Sequence, residues 1–168
     1  MIDPGTAAEG EDYMAYNRRR WGGDGWTRSM REMGRAEGAH YSNWKVWPNT
    51  THASRVLLLA ERAGKSDALM GELYQMCYDE GENVSLRETV ARAATRAGVP
   101  GGAEYAHSDE GMDELRLALT NARVNGKRVK AAPTFNIRVG GAAHDLSGAQ
   151  DTERWVAILE HCAGLLSE

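Results

Sequence analysis

The residues able to do chemistry are few and scattered. Two cysteines, Cys77 and Cys162, stand far apart and do not make a disulfide framework. Each falls among the apolar positions of a predicted helix, where a free thiol packs as a small hydrophobe. The five histidines show no His-x-x-x-His and no mixed Cys/His ligand spacing, so no metal site is expected. His144-Asp145 reads as hairpin surface or as an orienting pair. Gly22-Gly23-Asp24-Gly25 is not a phosphate loop, because no Gly-Lys-Ser/Thr follows and no strand precedes it. Arg18-Arg19-Arg20 and Lys127-Arg128-Val129-Lys130 are basic clusters, read as solvated faces or as anion-binding patches. Trp44 and Trp47 either fill core or line a substrate groove. The last candidate is Ala132-Pro133. Its bond can be cis, because proline lowers the trans preference to under about 1 kcal/mol; the alternative is a plain proline at the start of a strand.

The elements that must position these residues follow from period and punctuation. Helices are predicted over 11–21, 26–39, 49–63, 66–80, 85–98 and 110–125, with glycines 22, 64, 81, 98 and 126 at their ends. Val56 to Ala60 makes the third helix apolar over most of its circumference, so it should be central. Ser85 and Glu88, three apart, form a capping-box signature at the start of the fifth. Residues 99–102 read as a loop. Ser108 or Asp109 is expected to cap the helix over 110–125. A strand over 134–139 alternates Phe135, Ile137 and Val139 with polar residues. Gly140-Gly141 supplies the turn, since glycine accepts positive φ. A weaker strand over 142–146 and Ser147-Gly148-Ala149-Gln150 lead to a last helix, capped by Asp151 or Thr152. Its apolar positions are Trp155, Val156, Ile158, Leu159, Cys162, Leu165 and Leu166.

Composition bounds the answer. A chain of 168 residues fits one domain with a substantial core. The net charge of −4 does not suggest a nucleic-acid binder. No apolar stretch approaches the roughly 20 residues that cross a bilayer, so no membrane partner is expected. The first residues lack the apolar segment of a signal peptide, and with so few cysteines a cytoplasmic, reducing location is the expectation. No cofactor is expected from these residues.

Ala132-Pro133-Thr134-Phe135 followed by Leu146-Ser147-Gly148-Ala149-Gln150 resembles the C-terminal end of a DsbA-like thioredoxin-fold domain. Pro48-Asn49-Thr50 with Ala53, Arg55, Leu57, Leu58, Leu59 and Ala60 resembles the FrnE-type branch of that family. So do Gly64-Lys65 with Ala68-Leu69, the stretch 78–85, and Ser108 to Gly111. The resemblance runs from about residue 3 to 166. It implies an α+β, mostly helical chain with an incomplete thioredoxin-like fold. A helical insertion block over about 40–126 would precede a hairpin and helix over 129–166, together one domain over 1–168.

The family reaction needs a Cys-x-x-Cys at a helix start, where the dipole lowers one thiol's pKa; this chain has none. Residues 1–4 resemble the end of the family's second strand, so the catalytic β-α-β part is expected to precede this chain. The resemblance implies that Ala132 and Pro133 contact a thiol or disulfide peptide, or glutathione. It also allows Ser147 to meet a glutathione carboxylate at the last helix's N-terminus. Alanine before the proline departs from the valine or threonine usual in the family and leaves substrate preference open. Three readings follow. The chain belongs to a thiol–disulfide oxidoreductase whose catalytic part lies elsewhere; or it is a non-enzymatic peptide- or partner-binding module; or it belongs to a glutathione-dependent isomerase or transferase of the 2-hydroxychromene-2-carboxylate isomerase type. With only two strands expected, a free sheet edge could be covered by a homodimer.

Overall fold

The computed structural model describes residues 5–124, 127–129 and 132–165. They form two compact units, one over 2–116 and one over 117–168, so the division falls within a helix rather than in a loop.

The first unit begins with strand β1 (Glu11–Asp12) and helix α1 (Tyr13–Trp21). The sequence predicts helix from residue 11. Instead Glu11 and Asp12 pair antiparallel with β2 (Val46–Trp47), and the Asp12 carboxylate accepts the Ala15 N–H at 2.8 Å as a helix cap. A short acid competes well for orphan N–H groups, so the helix starts one residue after it. Helix α2 (Gly25–Ala36) precedes β2, and α3 (Thr51–Arg62) follows it.

Helix α3 is central, packing on α4 (Ser66–Tyr74), α5 (Arg87–Arg96) and α6 (Gly102–His107). Val56, Ala60, Leu69, Met76 and Val90 are fully buried between these elements. Where one helix was expected over 66–80, α4 passes into a π-helical turn, Gln75–Asp79, which carries the buried Met76 and Cys77. Helix α6 follows the loop expected over 99–102, in a stretch for which the sequence predicts no element. Gly102 allows it: an added Cβ would sit 2.8 Å from Ala94 and 3.0 Å from Val99, a close approach only glycine permits.

The capping box does not form. Ser85 Oγ accepts the Asn49 N–H at 2.9 Å, and the Ser85 N–H donates to Asn83 Oδ1 at 3.0 Å. Partners 36 residues away outcompete the local one, and α5 starts at Arg87 without a side-chain cap. Ser108 does accept the Glu110 N–H, at 3.1 Å, ahead of α7 (Met112–Asn121).

Gly81 closes the π-turn with φ +72°, and a Cβ there would meet the Asn43 side-chain amide and, at 2.9 Å, its carbonyl oxygen. Gly81→Ala is therefore expected to cost about 2 kcal/mol, from the left-handed backbone and the contact with Asn43. Urea melts check this. A variant with the parental midpoint would show that the turn tolerates a side chain.

In the second unit, β3 (Arg123–Val124) pairs with β4 (Lys127–Arg128), a ribbon in place of the expected last turn of helix. Strand β5 (Thr134–Val139) pairs antiparallel with β6 (Ala142–Ser147), Phe135 opposite Leu146 and Ile137 opposite His144. Gly140 and Gly141 turn between them at φ +56° and +82°. Helix α8 (Thr152–Gly164) is capped by Asp151, whose carboxylate accepts the Arg154 N–H at 2.7 Å. Phe135 meets Trp155 edge-on, ring centroids 4.8 Å apart, joining hairpin to helix. Cys162 is buried, but Val156 and Leu159, expected on the same apolar face, are 47% and 57% exposed. The expected end of the family's second strand, residues 1–4, and the helix end at 125–126 lie outside the described residues, as does Leu166.

Candidate functional site

The loop ahead of β5 is held from both ends of the hairpin. The Ala132-Pro133 bond is cis, and both residues are exposed. The Pro133 carbonyl accepts the Gly148 N–H at 2.8 Å, which ties the start of β5 to the end of β6. Thr134 lies opposite Ser147 in the register. Gln150 donates its side-chain amide to the carbonyls of Gly148 (3.0 Å) and Ser147 (3.4 Å), just before Asp151 caps α8. Pro133 and the Ser147-to-Gln150 segment, 14 residues further on, thus form one local structure. It presents an exposed backbone at Ala132-Pro133 and the exposed Ser147 beside the start of α8.

Trp44 and Trp47 belong to the other unit. Trp44 is 8% exposed, donates its indole N–H to the Val46 carbonyl at 2.8 Å, and packs on Tyr13, Tyr78 and Trp47. Trp47 is half-buried and stacks on Tyr16 at 4.1 Å. Trp44 belongs to the buried core, and Trp47 packs against it partly exposed.

The thiols are sequestered. Cys77 is 4% and Cys162 5% exposed, both free. Burial pushes the Cys77 thiol up to about 12. A buried thiol with that pKa carries almost no thiolate, the species that attacks a disulfide. His144 and Asp145 lie on β6. His144 faces His161 edge-on at 5.5 Å, and Asp145 accepts the Asn136 amide at 2.7 Å. Among the described residues no group of His, Cys, Asp or Glu could hold a metal ion. None of the described helices is long and apolar enough to cross a membrane.

A DSBA-like thioredoxin domain matches residues 23–160. The chain belongs to that family. The match covers most of the helical unit and the hairpin-helix unit, so the helices are part of the family's domain and not an appendage. No curated protein and no solved structure matches the chain. Membership places the chain in a family of the thiol–disulfide oxidoreductase kind, on a mostly helical α+β, thioredoxin-like fold.

One group of residues escaped the sequence reading. Tyr41, Tyr74 and Tyr78, assigned there to a connection and to a helix, line a common cavity of about 490 Å³. The signal available was the four-residue spacing of Tyr74 and Tyr78, which places them on one helical face. Tyr41 joins them through tertiary contacts that no local pattern encodes.

Proposed function

We propose that this chain supplies the helical cover and the proline hairpin of a FrnE-type thiol–disulfide oxidoreductase domain. The reactive dithiol comes from a segment outside these residues. The observation that carries this reading is the family match across both units, in a chain whose two thiols are both buried and lie in different elements. On this reading the exposed Ala132-Pro133 backbone receives an extended thiol or disulfide peptide by main-chain pairing, with glutathione as the small-molecule alternative. Ser147 ends β6, five residues before α8, and on this reading it meets a carboxylate of the bound molecule. The protein works in a reducing, cytosol-like compartment, where buried unpaired cysteines such as these persist.

Insulin reduction tests the reading. The present chain is expected to give no turnover above the uncatalysed rate. A longer gene product that carries a Cys-x-x-Cys ahead of these residues is expected to turn over, and to lose activity when its first cysteine is replaced. Turnover by the present chain that disappears in Cys77→Ser or Cys162→Ser would overturn the assignment.

A second reading is favoured by the exposed Val156 and Leu159. They lie three apart on α8, an apolar patch that a partner or a second copy could cover. The chain would then be a non-enzymatic binding module. A longer product with an intact dithiol and no turnover would favour this reading over the first.

A further inference from the structure

In the helical unit, two uncommon features converge on the cavity of about 490 Å³. The π-turn Gln75–Asp79 forms one wall with Gln75, Tyr78 and Asp79; such insertions occur frequently at functional sites. Tyr41 forms another, with φ +48°, the only non-glycine residue with positive φ among those described. Strain of that kind persists only where the surroundings impose it. Here they do: the Asn43 N–H donates to the Tyr78 carbonyl at 2.9 Å, and Ser42 donates its N–H and hydroxyl to Asp79 Oδ1 at 3.0 and 2.7 Å. Gly34 leaves the space that the ring occupies, since a Cβ there would sit 2.6 Å from Tyr41 Cε2.

The lining has a consistent chemistry. Tyr41, Tyr74 and Tyr78 contribute rings, with Tyr41 and Tyr78 edge-on at 5.2 Å and Tyr74 and Tyr78 tilted at 5.7 Å. Met30 adds a polarizable thioether, Asp79 a carboxylate, and His40 an imidazole beside that carboxylate. The hydrogen bonds from Ser42 hold the Asp79 carboxyl below its usual range, favouring the anion. No lysine or arginine is among the lining residues. The contiguous aromatic cluster already carries one cation: the Arg31 guanidinium lies 4.9 Å from the Tyr13 ring and 5.6 Å from that of Trp44, which packs on Tyr78 at 4.9 Å.

We infer that this cavity binds an alkylated ammonium group, held against the tyrosine faces and beside the Asp79 carboxylate. Ring quadrupoles and a nearby anion attract a diffuse organic cation, which sheds water more easily than a bare ammonium. The head group could belong to a free amine or to a methylated lysine side chain. The site is independent of the redox assignment above.

A proton NMR titration of the chain at constant ionic strength tests this. The probes are choline, its neutral carbon isostere 3,3-dimethylbutan-1-ol, and N-acetyl-trimethyllysine amide. Because the site is partly open, millimolar affinity is expected for the cations, with the isostere at least about fivefold weaker. The tighter of the two cations identifies the source of the head group. Tyr74 is 54% exposed, so Tyr74→Leu keeps the apolar bulk without the π face and should not disturb the fold. It is expected to weaken cation binding at least about threefold, as is Asp79→Asn. Equal binding of choline and its isostere, no saturation by either cation, or unchanged affinity in Tyr74→Leu would each overturn the proposal.

Discussion

Cys77 in the native chain is expected to react with iodoacetamide at pH 8 about a thousandfold more slowly than in the urea-unfolded chain. Burial at 4% exposure denies the reagent access and pushes the thiol up to about 12. At that value roughly one molecule in ten thousand is ionised at pH 8, against roughly one in ten for an ordinary thiol near 9. The sign extends to stability. The protonated thiol is the form the fold accepts, so its contribution is intact below the unfolded value. It is lost as pH rises from about 9 through 12. Mass spectrometry of the peptide containing Cys77 reads the rate directly. Rapid stoichiometric labelling of a chain whose circular dichroism is unchanged would show an accessible thiolate. It would return Cys77 to the list of reactive groups. The same result would weaken the proposal that the dithiol is supplied from elsewhere, since that proposal depends on inert thiols here.

Arg55→Ala is expected to remove about 3 to 5 kcal/mol of stability, a large share of what a domain of this size commands. The Arg55 side chain is fully buried within α3. It donates to the Ala106 carbonyl at 2.9 Å and to the Glu110 carbonyl, and its guanidinium lies 5.0 Å from the Tyr105 ring. One side chain therefore holds the end of α6 and the loop before α7 against the central helix. Alanine would leave two carbonyls without their donor and an empty space where the guanidinium lay. Arg55→Met separates the two effects, because it restores volume without the donors. It is expected to recover part of the loss and still fall about 2 kcal/mol short. Urea midpoints measure both variants. Hydrogen exchange should show residues 102–111 opening first in the alanine variant. A midpoint within about 0.5 kcal/mol of the parent would mean that the loop is anchored by other contacts.

Arg55 also marks the limit of what a pattern reveals. In the sequence it is one letter of a motif, on a helix whose apolar run predicts centrality. Centrality followed from Val56 to Ala60 alone, because a helix apolar over most of its circumference has to be enclosed. That a charged residue on that helix would be enclosed too did not follow. Its partners are backbone carbonyls 51 and 55 residues away, and backbone groups leave no trace in a sequence.

What the sequence alone determined about this protein is local. Gly140-Gly141 had to turn the hairpin, since few other residues accept two successive positive φ angles. Asp151 or Thr152 had to cap the last helix, the structure using Asp151, and Phe135, Ile137 and Val139 had to alternate along a strand. The motifs around Pro48 and Pro133 pointed to a DsbA-like thioredoxin domain, the family that matches residues 23–160. Tertiary structure decided wherever a distant group offered a better bond or closer packing than the local one. Ser85 left its capping box for Asn49, Glu11 and Asp12 left a helix for Val46 and Trp47, and Gly102 let α6 form against α5. Tertiary structure also brought Tyr41 to Tyr78 across 37 residues, at the cost of a strained backbone, and so made a cavity no spacing rule describes. The physical reason is the same throughout: propensities and caps are worth about 1 kcal/mol each, and burial with long-range hydrogen bonds outweighs them.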